Sequence, residues 1–99
     1  MSAGYISRDS RGHLELVLTS EAVSYRDFPR WAKKFVKHYG GECLKRFDGP
    51  DCRVQQVRLL GQELQLAFID FPVQTALIAD SPRGEVVLHA IAQLESNAA

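Results

Sequence analysis

Phe28, Trp31, Ala32, Phe35, Val36 and Tyr39 recur at i, i+3, i+4, i+7, i+8 and i+11, which puts them on one face of an α-helix. This stripe of large apolar groups constrains the chain more than any other feature. Pro29 fixes where the helix starts, because proline is tolerated only in the first turn, where its missing N–H has no partner to lose. Asp27 is then the expected N-cap, with Ser24 opening a preceding turn. Gly40-Gly41 ends the helix through a left-handed cap. A stripe this rich in aromatics needs a surface to bury it, and Trp31 and Phe35 are the expected anchors.

The rest of the chain reads as that surface. "HLELVLT" alternates, with Leu14, Leu16 and Leu18 on one side, and Tyr5-Ile6 reads as a short strand paired back onto it. After the helix, residues 42–47 and "CRVQQVRLL" read as a hairpin, followed by "ELQLAFI" with Leu64, Leu66 and Phe68 inward. "DFP" at 70–72 is a break, and "VQTALIA" alternates again. Val54 and Val57 cannot share a face of a regular strand, which predicts a β-bulge near Gln55-Gln56. A final helix is capped by Asp80 or Ser81, begins at Pro82 and buries Val87, Leu88, Ile91 and Leu94. The expected order is β-α-β-β-β-β-α: a single α+β domain over 1–99, mainly antiparallel, with both helices on one face of the sheet. Residues 1–4 and 96–99 are expected to fray.

With 99 residues, 45% of them hydrophobic, the chain buries roughly 60–70% of its unfolded surface and needs no metal or disulfide to fold. No apolar run approaches the ~18–20 residues of a membrane span, and the first residues lack the pattern of a secretory signal. A cytoplasmic protein without membrane attachment is the expectation.

"RFDGPDCRV" at 46–54 looks most like chemistry, because Asp48 and Asp51 flank Gly49-Pro50 beside a cysteine and two arginines. A tight hairpin asks for the same residues. Pro50 suits the second turn position, Asp51 the third, and Asp48 can accept from nearby N–H groups. A divalent cation on Asp48, Asp51 and Asp70 would need more oxygen ligands than a turn supplies. Cys43 and Cys52 are offset by about four residues along the hairpin, roughly 13 Å, too far for a disulfide. Two free, mostly buried thiols are expected. There is no C-x-x-C for zinc, and His13, His38 and His89 are scattered without a nucleophile signature. "HYGGEC" ends a helix, whereas a phosphate cradle begins one. No catalytic, metal or cofactor residue is assigned.

Charge is the remaining signal. The chain is neutral overall, yet residues 26–46 carry seven basic residues against two acidic ones, and residues 47–99 carry three against seven. Arg30, Lys33, Lys34 and Lys37 lie opposite the apolar stripe, with Lys45 and Arg46 just beyond the helix. These six are the candidate partner-binding residues. The patch suits an acidic protein surface or nucleic acid phosphates, and the acidic second half opposes an extended polyanion. Val17, Ala67, Ile69 and Ile78 fall on the sheet face away from the helices and would serve a weak homodimer.

Trp31-Ala32 with Phe35, the turn Asp48-Gly49 with Asp51, and Gly61 with Leu64 and Leu66 form a W-A-x-x-F, D-G-x-D, G-x-x-L-x-L series. In this the chain resembles a family of uncharacterised small proteobacterial proteins about one hundred residues long, over roughly two thirds of its length. The resemblance implies a compact bacterial α+β domain without an established activity, and it carries over no catalytic residue. The reading is therefore a small non-enzymatic interaction or regulatory domain that binds a protein partner. The alternative is a nucleic-acid-binding module using the basic helix face.

Overall fold

The computed structural model describes residues 5–18, 23–70 and 73–97. Strands β1 (Tyr5–Arg8) and β2 (Leu14–Leu18) precede helix α1 (Phe28–His38). Four strands follow, β3 (Glu42–Asp48), β4 (Cys52–Leu59), β5 (Gln62–Asp70) and β6 (Val73–Ala79), and then helix α2 (Pro82–Asn97). All six strands form one antiparallel sheet in the order β1-β2-β6-β5-β4-β3. The α+β class holds. The element order gains one strand, because all of Tyr5–Arg8 pairs with residues 14–17 and makes this segment a hairpin. Residues 1–4, 71–72 and 98–99, which include expected frayed ends and part of the "DFP" break, lie outside the described residues, whereas 96 and 97 belong to α2.

The pairing register explains why one face is apolar. Leu16 pairs with Leu77, Leu77 with Leu66, and Leu66 with Gln55; one step along, Leu64 pairs with Val57. Side chains alternate across a strand, so these residues share a face, joined by Leu14, Leu18, Leu59, Phe68 and Ala79. Both helices pack there and contribute Phe28, Ala32, Val36, Val87, Leu88 and Ile91 to a single core cluster. Each fully buried leucine or phenylalanine contributes about 1.5–3 kcal/mol relative to exposure.

Helix α1 uses its stripe differently from expectation. Phe28, Ala32 and Val36 face the sheet and are buried, while Trp31, Phe35 and Tyr39 are half-buried on one flank. There they stack as a ladder, with ring centroids 5.2 Å apart from Trp31 to Phe35 and 5.2 Å from Phe35 to Tyr39. The expected anchors Trp31 and Phe35 are thus a secondary layer, and Phe28 is the anchor. A stripe spanning i to i+11 holds two adjacent lines at i+4 spacing, and only the line of Phe28, Ala32 and Val36 takes the sheet. The expected side-chain cap is also corrected. Asp27 occupies the N-cap position, but its carboxylate accepts from the Ser24 hydroxyl and makes no capping bond. The Ser24 carbonyl already receives the Asp27 and Phe28 amides, so the turn that Ser24 opens runs directly into the helix. At the other end Gly40 has φ +69°, the Gly41 N–H donates to the Val36 carbonyl, and the Gly40 N–H donates to that of Lys37. This is a Schellman ending.

The last ring of the ladder ties the helices together, because the Tyr39 hydroxyl donates to the Glu95 carboxylate of α2. Burial, reinforced by that carboxylate, pushes the Tyr39 phenol well above its ordinary value of 10.0. The unfolded chain therefore ionises first as pH rises. The stabilisation is complete below pH ~10 and is lost above it, toward the raised value. Tyr39→Phe should accordingly be less stable than wild type near pH 8, with the difference shrinking steadily above pH ~10. Urea midpoints measured against pH check this, and a constant difference up to pH ~12 would refute the linkage.

At the N-terminus of α2 the Ser81 hydroxyl accepts the Gly84 N–H at 3.0 Å, so of the two expected caps it is Ser81 that acts. Leu94 was expected in the buried stripe but is 50% exposed. The stripe drifts around the helix from Val87 and Leu88 to Ile91 and Ala92, leaving Leu94 on the solvent side.

The expected bulge is displaced by one strand. β4 pairs residue for residue with β5 from Cys52 to Leu59 and is regular. The irregularity lies on β3, where Cys43 faces Val57 and Arg46 faces Gln55. Parity is kept because Gln55, not Val54, takes the core face. It is 7% exposed, and its amide donates to the carbonyls of Lys45 and Gln56, satisfying groups the bulge leaves over. This register places Cys43 on the helix-covered face and Cys52 on the open one, both as free thiols and both exposed, not buried as expected.

Candidate functional site

The "FDGPDC" segment is a hairpin turn, closed by a 2.8 Å bond from the Gly49 N–H to the Cys52 carbonyl. Its polar residues hold the turn in place. Asp48 lies 3.2 Å from Arg46 Nε and 3.4 Å from Arg53 Nε. The second contact is close enough for ionic attraction but not aligned as a hydrogen bond, so Arg53 Nε is buried without a hydrogen-bond partner. Its guanidinium instead stacks 4.1 Å above the Tyr25 ring, and the Tyr25 hydroxyl donates to the Gly49 carbonyl at 2.7 Å. Among the described residues, no three of His, Cys, Asp and Glu come together as metal ligands.

A concavity lies between α1 and β3. One wall is Pro29, Arg30, Lys33, Val36 and Lys37; the other is Gly41, Glu42, Cys43 and Arg46, with Gln55 on the floor. It is open on one side and encloses about 730 Å³. Helix geometry explains the first wall. Phe28, Ala32 and Val36 point at the sheet, so Pro29, Lys33 and Lys37 flank them on the side of β3, opposite the aromatic ladder. The second wall exists because the β3 bulge and the close Gly41 turn bring the strand edge beneath the helix.

Four of the six candidate residues, Arg30, Lys33, Lys37 and Arg46, meet in this groove. Arg30, Lys33 and Lys37 have no carboxylate within 4.0 Å among the described residues, whereas Arg46 is held by Asp48. Glu42, the acid of the groove, is itself engaged by Arg58. Lys34 does not line the groove. Lys45 sits 5.1 Å over the Phe47 ring. The basic patch is thus divided: among the described residues, three cations without an ion pair and one paired one lie in the groove, and two lie elsewhere.

Cys43 supplies a thiol to the groove. Burial raises its thiol above the ordinary value, and nearby Lys33 lowers it by less. An activated thiolate needs the opposite balance. His13, His38 and His89 lie outside the groove.

Sequence reasoning assigned the cations but missed Pro29, Cys43 and Gln55 as groove residues, and missed the strand edge beside them. The signal for the edge was there. "ECLKRFD" lacks inward alternation, and all seven of its residues are exposed, as suits a strand paired on one side only.

On the open sheet face a row runs Tyr5–Val17–Ala76–Ala67–Val54–Phe47 across all six strands. Val17, Ala67, Ile69 and Ile78 all lie on this face, as parity required. Val17, Ala67 and Ala76 are already buried, and Tyr5, Phe47 and Ile69 are among its exposed apolar groups. No helix among the described residues is long and apolar enough to cross a membrane.

No curated protein and no solved structure matches the chain. A family match extends over residues 5–96, nearly the whole of this α+β domain, and the chain belongs to that family, the proteins of unknown function designated DUF3630.

Proposed function

We propose that this chain is a small non-enzymatic binding domain of the bacterial cytoplasm, whose partner is an acidic segment of another protein held in the α1–β3 groove. One observation carries the reading. Arg30, Lys33 and Lys37 line one wall of an open groove and, among the described residues, none has a carboxylate within 4.0 Å, although the chain as a whole is neutral; Glu42, on the other wall, is engaged by Arg58. Three like charges gathered without partners cost self-repulsion and raise the local affinity for an anion. The bacterial setting follows the resemblance to small proteobacterial proteins, and two free thiols suit a reducing compartment. A regulatory role would follow from competition for the groove. A second copy would meet mainly Tyr5, Phe47 and Ile69 on the open face, a thin surface, and the homodimer is not part of this proposal.

Nucleic acid is the competing partner. Against it stand the division of the six cations and the acidic balance of residues 47–99, which opposes a polyanion spreading beyond the groove. The test compares a labelled oligoglutamate peptide with mixed DNA and RNA oligonucleotides of equal charge. The peptide should bind and the oligonucleotides should not near physiological salt. Replacing Arg30, Lys33 and Lys37 together by Gln should weaken the peptide about tenfold or more, taking each exposed pair at ~0.5–1 kcal/mol. Lys34→Gln should leave affinity close to wild type, because Lys34 does not line the groove. Micromolar oligonucleotide binding that the triple substitution abolishes would make nucleic acid the partner instead.

A further inference from the structure

The acidic partner of the groove reading leaves open what form the segment takes, and β3 supplies an answer that rests on that reading. β3 is the terminal strand of the sheet and, among the described residues, pairs only with β4. The bond from the Gly49 N–H to the Cys52 carbonyl sets the phase of the ladder. Alternation from that pair turns the backbone groups of Asp48 and Arg46 outward and, beyond the register shift, those of Cys43. These outward groups belong to residues whose side chains lie on the helix-covered face, the same face as the cation-lined wall. An open row of backbone donors and acceptors therefore runs along the floor edge of a basic groove.

We infer that the ligand is an extended acidic peptide that adds to β3 as a seventh strand, with its carboxylates turned toward Arg30, Lys33 and Lys37. Strand addition draws affinity from main-chain bonds and specificity from alternate side chains. The spacings agree. Carboxylates on alternate residues of an extended strand lie ~6.6–6.8 Å apart. Lys33 and Lys37 are separated by ~6 Å along the helix axis, and Arg30 and Lys33 by ~4.5 Å. A peptide alternating Glu with an apolar residue satisfies both walls, its other side chains facing the open side of the sheet beside Phe47, which is 56% exposed. Exposed edges are commonly guarded by lysines and bulges. Here Lys45 is drawn over the Phe47 ring, and the bulge is confined between Cys43 and Arg46, so neither guard covers the outward groups of Arg46 and Asp48.

The test uses the intact chain and three labelled octapeptides of alternating Glu and Val: the parent, one N-methylated at every Glu, and one N-methylated at every Val. N-methylation removes the backbone donor and keeps the charge. Residues of an added strand point their N–H groups alternately toward β3 and away from it, so only one methylated peptide should suffer. It should bind at least about tenfold more weakly than the parent through the loss of several hydrogen bonds, while the other binds like the parent. Equal affinity of all three, or equal loss in both methylated peptides, overturns strand addition and leaves charge-driven groove binding standing. Failure of the parent to bind at low salt overturns the groove reading together with the inference.

Discussion

Phe28→Ala should destabilise the domain by about 3–5 kcal/mol, the cost of emptying a fully buried aromatic site. Phe28 is 0% exposed and lies at the centre of the helix–sheet contact, with ring centroids 5.9 Å from Phe68 and 6.1 Å from Trp31. No neighbour is placed to collapse into the gap, because Phe68 belongs to a central strand and Trp31 is held by Phe35. A domain of this size is stable by only ~5–15 kcal/mol, and each kcal/mol moves Tm by about 4–8 °C. The expected result is a fall in Tm of more than ~12 °C, or a chain unfolded at 37 °C. Trp31→Ala should cost clearly less, since its ring is half-buried on the flank. A Tm for Phe28→Ala within ~2 °C of wild type would mean that α1 does not dock through this face.

Gly41→Ala should be the next most damaging change, and clearly worse than Gly40→Ala beside it. The two glycines are needed for opposite reasons. Gly40 has φ +69° with nothing within 4 Å of where a Cβ would stand, so alanine there meets only the backbone strain of the left-handed region, ~1–2 kcal/mol. At Gly41 a Cβ would drive into the Arg58 carbonyl oxygen and come within 2.6 Å of Leu59 Cδ2. A carbonyl fixed in the β4 ladder cannot swing aside as a flexible side chain would. The turn between α1 and β3 would have to lift off β4, at an overpacking cost of 1–3 kcal/mol or more and with a reshaped groove wall. Urea midpoints at unchanged m-value separate the two variants. Gly40→Ala proving the worse would mean the turn packs less tightly than described.

Period and punctuation carried most of the fold. The α1 spacing, Pro29, Pro82, the paired glycines and the alternating leucines of β2 and β5 each specify local geometry through a single physical rule, and each element appears where those rules put it. What failed depended on partners far away in sequence. Val54 and Val57 looked like a parity break because a buried glutamine is an improbable core residue, yet Gln55 is satisfied by carbonyls that only the β3 bulge leaves over. Leu94 and Trp31 looked buried because a helical stripe says which side faces inward, not how far the opposing surface extends. The groove was half legible. Its cations stood out as a run of charge, but Cys43, Gln55 and the open edge of β3 join them only once the strand order puts β3 at the rim.

That strand order also governs the route by which the chain reaches its native state. The meander from β3 to β6 closes through short links between consecutive strands, whereas β2 must find β6, pairing Leu14 with Ala79 and Leu18 with Thr75. Closing so long a loop gains nothing until the far strand exists. The N-terminal hairpin is therefore the last piece of the sheet to seat, and until it does the edge of β6 is a second unpaired template. During synthesis the ribosome releases the β1–β2 hairpin long before β6, its docking site, is made, so the earlier segment must wait for the later one.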